Sequence, residues 1–187
     1  MTMMSSVVGK KSVKLLIMDD NRTRSEKEQH QLDEAMIDLF ERRICFNEHL
    51  GLKVIDLWGN SVTTGFAMRP EFVGHYLYGR LHGGVISTML DTTGGLAVMA
   101  AIAKKYSAES CMQVMQRFAY LGTIDMRVDY IRQGKGQSFV ADSEVVRLGG
   151  RIATTRMNLS NEEGTVIATG NATYIVSGPN TSEQKPN

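Results

Sequence analysis

Two glycines and one aspartate in the segment 82–95 are spaced in a way that suits chemistry on a carbonyl group. Gly83 and Gly84 open an apolar run of helical character, where the first backbone N–H groups find no partner inside the helix. Together with the helix dipole, such donors stabilise negative charge that develops on an oxygen. Asp91 follows among apolar residues, so its carboxylate must be paired, protonated or used. The segment therefore combines an oxyanion donor with a candidate base or nucleophile.

The spacing of Gly83 and Asp91 predicts that a single helix cannot bring both groups to one carbonyl carbon. Eight residues of α-helix rise about 12 Å, at ~1.5 Å per residue. Two antiparallel copies of the helix could place Gly83 of one chain near Asp91 of another, which gives two equivalent sites per dimer. The Gly94-Gly95 pair in the same helix favours close approach of another backbone. We therefore expect a site shared by two copies of the chain.

Apolar periodicity divides the rest of the chain into helices and strands. Residues 31–50 predict an amphipathic helix that ends at Gly51, and residues 52–68 predict a hairpin. Residues 83–105 are apolar on almost every side, which predicts a buried helix. Residues 107–119 predict another short helix. Strands are then expected after Gly122 and near 137–148, 151–160 and 165–176.

The four C-terminal strands are joined by short glycine-containing turns, which predicts an antiparallel meander. Strict alternation in the first of them places Thr123 and Asp125 on one face and Ile124 and Met126 on the other. The element order predicts an α+β domain in which an antiparallel sheet wraps a long central helix.

Length and composition predict one domain between two tails. The chain has 187 residues, little more than one domain of ~150. Residues 1–30 end in a charged stretch without apolar periodicity, which predicts a mobile N-terminal tail. Residues 31–177 form the expected domain, and residues 178–187 a polar C-terminal tail.

Charge and motif content exclude several functions. Lys and Arg number 21 against 20 Asp and Glu, which argues against a nucleic-acid binder. The 2 cysteines imply no disulfide framework, and the histidines lack zinc-ligand spacing, so no metal and no cofactor are expected. No apolar run suits a signal peptide or a membrane span. We therefore expect a cytoplasmic protein without membrane insertion.

Three motifs resemble the PaaI-like (phenylacetic-acid-degradation type) hotdog-fold thioesterases, most closely their bacterial medium- and long-chain acyl-CoA members. They are His82-Gly83-Gly84 with Asp91 and Gly94-Gly95, the run from Gly122 to Arg132, and the run from Ala168 to Val176. The resemblance covers roughly residues 36–177. It implies the hotdog fold and hydrolysis of acyl-CoA thioesters to free acid and coenzyme A.

The resemblance also implies roles for individual residues. The backbone N–H of Gly83, with that of Gly84, would bind the thioester oxygen, and His82 would orient this segment. Asp91 of the partner chain would act as nucleophile or as general base on water. Thr123 matches a hydroxyl position that places the water or the carboxylate.

Other positions are expected to bind the rest of the substrate. Family members often carry an asparagine six or seven residues before the motif histidine, where this chain has Tyr76 and His75. His75 is the expected substitute, and Tyr76 is a candidate wall of the acyl pocket. Three cations near strand ends could meet the phosphates of coenzyme A, although solvated side chains are the alternative: Arg132, Lys135 and Arg151.

The sequence leaves two alternative functions and two alternative oligomeric states. A hotdog protein could bind acyl-CoA without catalysis, or it could dehydrate hydroxyacyl thioesters. Retention of Asp91 favours hydrolysis over the first, and the position of His82 does not match the histidine of the second. The expected assembly is a homodimer or a dimer of dimers.

Overall fold

The computed structural model describes residues 23–177. These residues form α1 (Glu26–Asp38), α2 (Cys45–Leu50), α3 (Gly83–Lys105) and α4 (Cys111–Phe118). The strands are β1 (Lys53–Trp58), β2 (Ser61–Ala67), β3 (Val73–His75), β4 (Arg80–Leu81), β5 (Gly122–Tyr130), β6 (Ser138–Leu148), β7 (Ile152–Asn161) and β8 (Val166–Ile175). Most of the predicted N-terminal tail, residues 1–22, and the predicted C-terminal tail, residues 178–187, lie outside this range.

Helix α3 spans the predicted residues, and a curved antiparallel sheet packs against it, so the α+β prediction is confirmed. Six strands form this sheet in the order β1-β2-β6-β7-β8-β5, and β3 and β4 pair separately. One side of α3 packs on the sheet, where Leu90 and Val98 of the helix share a hydrophobic cluster with Met157 of β7. The other side packs against α1 and α4 through Leu96 and Ala100. The helix is buried because elements cover it from both sides.

The predicted meander is wrong in one pairing. Strand β5 pairs with β8 at the edge of the sheet, whereas β6 pairs with β2. The connection between β5 and β6 spans residues 131–137, which can extend about 23 Å. Passing β8 and β7 to reach the place of β6 requires only about 14 Å. The connection therefore crosses the sheet end, and within residues 23–177 one edge of β5 is left unpaired.

A β-bulge reverses the predicted orientation of Thr123. The register of β5 against β8 shifts between Thr123 and Asp125, so Ile124 is an extra residue. Thr123 lies opposite Tyr174, a buried residue on the helix-facing side of the sheet. Side chains directly opposite each other in antiparallel strands share a face. Thr123 therefore points towards α3, which strict alternation did not predict.

The predicted helix over residues 31–50 begins earlier and is broken. Ser25 and Glu28 form a capping box at the start of α1, so the expected tail boundary at residue 31 falls inside the helix. A π-helical turn, Leu39–Arg43, follows, and extended backbone at Ile44 separates it from α2. Gly51 ends α2 with φ of 69°, in the left-handed region that glycine favours, as the stop signal predicted.

The start of the described chain is tied to the end of α3. The Arg24 guanidinium donates to the carbonyl oxygens of Tyr106 at 2.8 Å and Glu109 at 2.9 Å, and also to that of Ala103. The carbonyls of Ala103 and Tyr106 lie at the C-terminal end of α3, where a cation also complements the helix dipole. Residues 24–30 are therefore part of the packed structure.

Helix α3 is long and apolar enough to cross a membrane when judged by length and composition alone. However, 67% of its most apolar stretch is buried inside the domain, and the core helix of a globular domain passes the same test. The apolar surface of α3 is thus accounted for by packing.

Candidate active site

The Asp91 carboxylate is held by two hydroxyl groups from the edge of the sheet. Thr123 Oγ1 donates a hydrogen bond to Asp91 Oδ1 at 2.8 Å. The Tyr174 hydroxyl donates to the Asp91 carbonyl oxygen at 2.9 Å and lies 3.3 Å from Oδ1. Within residues 23–177 no hydrogen bond reaches Asp91 Oδ2. One carboxylate oxygen is therefore fixed, and the other faces away from these partners.

Tyr174 is a hydrogen-bond donor that keeps its proton. Burial of the side chain, reinforced by the neighbouring Asp91 carboxylate, raises the pKa of Tyr174 far above its ordinary value. A raised pKa means that the phenol stays neutral throughout the working range of pH. Its hydroxyl can therefore always donate to Asp91. Sequence reasoning assigned no role to Tyr174, although it lies in the quoted run from Ala168 to Val176.

The Gly94-Gly95 pair makes room for a side chain of the same chain. A Cβ on Gly94 would overlap the Tyr174 hydroxyl and would approach Met157 Sδ. Gly95 lies beside the same tyrosine ring. Within one chain the close neighbour of these glycines is therefore the Tyr174 side chain rather than another backbone. Because these two glycines have no side chains, the Tyr174 ring can pack against α3 and its hydroxyl can contact Asp91.

A cavity of about 380 Å³ opens beside Asp91. Its apolar lining comes mostly from the break between α1 and α2 and from the start of β5: Phe40, Ile44, Phe46 and Leu121. Thr88, Thr92 and Thr123 add hydroxyls near the carboxylate. Asn47 also lines it, and this side chain is 3% exposed with no partner for Nδ2 among the described residues. Sequence reasoning missed this wall because the helix break is not visible in the apolar periodicity.

The start of α3 leaves one backbone donor free. His82 is the N-cap, and its Nδ1 accepts the Gly84 N–H at 2.8 Å. The His82 carbonyl oxygen accepts the N–H groups of Val85 and Ile86 at 3.0 and 3.2 Å. In the part of the chain that the structure describes, only the Gly83 N–H among these four has no acceptor. Of the two glycine donors predicted from sequence, Gly83 is thus the available one.

Gly83 and Asp91 do not meet within one chain. Both lie on α3, eight positions apart, which amounts to about two helical turns. Asp91 faces the cavity with Thr123 and Tyr174, whereas Gly83 lies next to the Tyr130 ring. One chain therefore supplies two separate halves of the predicted constellation.

The predicted substrate-binding side chains are distributed over three places. His75 ends β3 and Tyr76 begins the exposed turn between β3 and β4; the two rings stack, and Tyr76 is 87% exposed. Arg132 donates to the Val166 carbonyl oxygen at 2.9 Å, close to the Gly83 end of α3. Lys135 follows Gly134, whose carbonyl oxygen accepts the N–H of Leu81.

Arg151 lies apart from the other two cations. Its carbonyl oxygen accepts the Val176 N–H, at the opposite end of β8 from Val166. Within one chain the structure thus brings Arg132 and Lys135 to the start of α3 but leaves Arg151 at a distance.

A sheet wrapped around a central helix, with a carboxylate on that helix and a free N–H at its start, is the arrangement expected of a hotdog-fold thioester hydrolase. Between residues 23 and 177, no group of three or more His, Cys, Asp or Glu is placed to hold a metal ion. The model of the thioesterase superfamily matches residues 78–168. The segment that carries both Gly83 and Asp91 lies inside this match.

Individual relatives agree with this family. The medium/long-chain acyl-CoA thioesterase YigI of Escherichia coli strain K12 is 36% identical over 139 residues, 74% of this chain and 90% of that protein. A crystal structure of a Shewanella oneidensis protein related to the thioesterase superfamily has a TM-score of 0.77 at 37% identity, covering 82% of this chain and 100% of that one. Zebra fish thioesterase superfamily member 2, with a TM-score of 0.61 at 20% identity over 78% of this chain and 96% of that one, supports the fold alone. The chain belongs to the thioesterase superfamily and has the hotdog fold, as its sequence motifs predicted.

Proposed function

We propose that this protein hydrolyses acyl-CoA thioesters with medium to long apolar acyl chains. The observation that carries the proposal is the Asp91 carboxylate, oriented by Thr123 and Tyr174 at the wall of an apolar cavity. The similarity to a medium/long-chain acyl-CoA thioesterase supports the substrate class. The cavity would take the acyl chain, because burying an apolar chain against Phe40, Ile44 and Leu121 is favourable.

Asp91 acts as nucleophile on the thioester carbon or as general base on a water molecule. Its Oδ1 is occupied by Thr123 and Tyr174, so Oδ2 is the oxygen directed to the reaction. The hydrogen bond from Thr123, with the Tyr174 hydroxyl on the same oxygen, fixes the plane of the carboxylate. The carboxylate is thereby oriented before the substrate binds.

The Gly83 N–H of a partner chain binds the thioester oxygen in this proposal. Support comes from the half-exposed stripe on the N-terminal half of α3, formed by Ser87, Thr88, Asp91 and Thr92. Among the described residues, strand β5 beside it has an unpaired edge; Ile124 of this strand is 56% exposed, and Ile131, which follows the strand, is 50% exposed. A second copy that covers this surface would bring its own Gly83 towards Asp91. A homodimer is therefore the smallest complete unit, and dimers of dimers would contain the same sites.

The coenzyme A phosphates would bind near the start of α3. Arg132 and Lys135 flank that end and carry positive charge on exposed side chains. Arg151 lies too far from this end within one chain, so it would bind the phosphates only if it came from another copy of the chain. His75 at the end of β3 and Tyr76 in the exposed turn that follows would contact the substrate or the partner chain.

Release of free thiol from a graded acyl-CoA series, from acetyl to palmitoyl, tests the proposed activity. Turnover is expected to rise with chain length into the medium and long range, with a kcat of about 1 s⁻¹ or more. Binding of acyl-CoA without release of thiol would instead favour a non-catalytic binding protein. Absence of both binding and release across the series would contradict the substrate class.

Replacing Thr123 by Val is expected to lower kcat about tenfold, because it removes a hydrogen bond to a charged group worth ~1.5–3 kcal/mol. Valine keeps the shape of threonine, and Thr123→Ser keeps the donor. The comparison of the two variants by initial rates separates the hydroxyl from the volume. Equal rates for Val and Ser would show that Thr123 does not act through Asp91.

A further inference from the structure

The peptide group between Gly83 and Gly84 is held on both of its sides. Its carbonyl oxygen accepts from Ser87 Oγ at 3.0 Å and from the Tyr130 hydroxyl at 3.1 Å. The two hydroxyl oxygens are also 2.5 Å apart, so the two hydroxyl protons are shared among three contacts in one closed cluster with the carbonyl oxygen. The N–H of the same peptide group donates to His82 Nδ1 at 2.8 Å. This peptide plane therefore has little freedom to rotate.

The two hydroxyls differ in what they can fix. A serine that bonds back to the carbonyl four residues earlier is a local helix contact, and it moves with the helix. Tyr130 comes from β5, 47 residues away in the chain, and it ties the helix start to the sheet. Its ring also lies 3.4 Å from the position that a Cβ on Gly83 would occupy. Tyr130 thus restrains Gly83 by packing and by hydrogen bonding.

We propose that Tyr130 is a positioning residue that fixes the direction of the Gly83 N–H, and this rests on the proposed oxyanion role of Gly83. The Gly83 N–H belongs to the peptide group before Gly83, which is held through the His82 carbonyl oxygen, and the peptide group after Gly83 is held by Tyr130. With the peptide groups on both sides of the Gly83 Cα fixed, the Gly83 N–H points in one direction. Oxyanion donors work because they are oriented before charge develops, and small misplacement weakens them.

Strand β5 then positions both halves of the site. Thr123 near its start holds Asp91, and Tyr130 at its end holds Gly83. One strand therefore positions both Asp91 and Gly83, which in the proposed dimer belong to two different active sites. In the sequence, the alternating pattern of β5 places Tyr130 on the same face of the strand as Met126 and Val128, and this was the only indication of its role.

The Tyr130→Phe variant tests this role, because it keeps the ring and removes the hydroxyl. We expect kcat to fall about tenfold, with KM changed less than about twofold, since the lost orientation matters most in the transition state. Tyr120→Phe is the matched control, because it makes the same chemical change on another exposed tyrosine, 53% exposed and beside the C-terminal end of α3 rather than its start. Its kcat is expected to equal that of the unmodified protein.

A double-variant comparison separates positioning from general structural support. In Gly83→Ala the N–H remains, and adding Tyr130→Phe should again cost about tenfold. In Gly83→Pro the N–H is gone, and the same addition should cost less than about twofold. An equal loss in both backgrounds would overturn the proposal.

Hydrogen–deuterium exchange gives a readout that does not depend on turnover. Peptides covering residues 82–86 should exchange at least about threefold faster in Tyr130→Phe than in the unmodified protein and in Tyr120→Phe. Unchanged exchange would overturn the proposal even if the protein is an active thioesterase. Conversely, faster exchange in a protein that hydrolyses no acyl-CoA would contradict the proposed function and leave the restraint on Gly83 in place.

Discussion

Replacing Asp91 by Asn is expected to lower kcat for acyl-CoA hydrolysis about 10³-fold, while the protein keeps its fold. Removal of a general base or nucleophile typically costs ~10²–10⁴-fold. Asparagine is nearly isosteric, and its Oδ1 can still accept from Thr123 and Tyr174, so the surrounding hydrogen bonds survive. The amide nitrogen that replaces Oδ2 can neither take a proton from water nor attack a thioester.

The measurement is the steady-state rate of thiol release at saturating acyl-CoA, compared at equal oligomeric state. Asp129→Asn is a matched control, because this carboxylate lies on the exposed side of β5 and pairs with Arg127 at 3.0 Å. It should retain nearly full activity. If Asp91→Asn keeps more than about one third of the activity, the carboxylate has no chemical role.

Mass spectrometry of the unmodified enzyme separates the two roles open to Asp91. A nucleophilic carboxylate forms a mixed anhydride with the acyl group as the thiolate of coenzyme A leaves, and water then cleaves it. Intact mass spectrometry of rapidly quenched enzyme would show a chain heavier by one acyl group. A general base forms no such adduct, so the mass stays that of the free chain.

The central helix and the class of the site were predictable from sequence for a physical reason. A run such as 83–105 has no polar face, and only the interior of a domain can accept it. Glycines before a buried run and an acid inside it are costly unless they are used, so Gly83 and Asp91 were informative without any structure. The strand positions were also predictable, because alternation shows directly in β6 and β7.

The environment of Asp91 was not predictable in this way, because it depends on register. One extra residue at Ile124 turns Thr123 from the outer face to the helix face. Alternation cannot reveal such a bulge from a single strand. The contact between Tyr174 and Asp91 was not predictable for a related reason, because it depends on the space left by Gly94 on α3. The cavity wall required knowledge of the break at Ile44, which follows from packing rather than from local preference.

Replacing Gly83 by Pro is expected to lower kcat/KM about 10²–10³-fold, since one oxyanion donor is typically worth that much. The substitution suits the fold. Proline is favoured at the first position of a helix, where no N–H bond is lost. The preceding residue, His82, already has φ of −67° and ψ of 135°, which a following proline allows. Gly83→Ala adds a Cβ but keeps the N–H, so it should retain most of the activity.

A mixed dimer of Gly83→Pro and Asp91→Asn chains then tests whether each site is shared. If Gly83 of one chain works with Asp91 of its partner, one site carries both defects and the other carries neither. Dimers purified through two different tags should therefore recover about half of the unmodified activity, although each parent is nearly inactive. If both residues acted within one chain, every site would keep one defect and the mixed dimer would stay inactive. Recovery would place Gly83 and Asp91 at one thioester across the interface, which their separation along α3 requires.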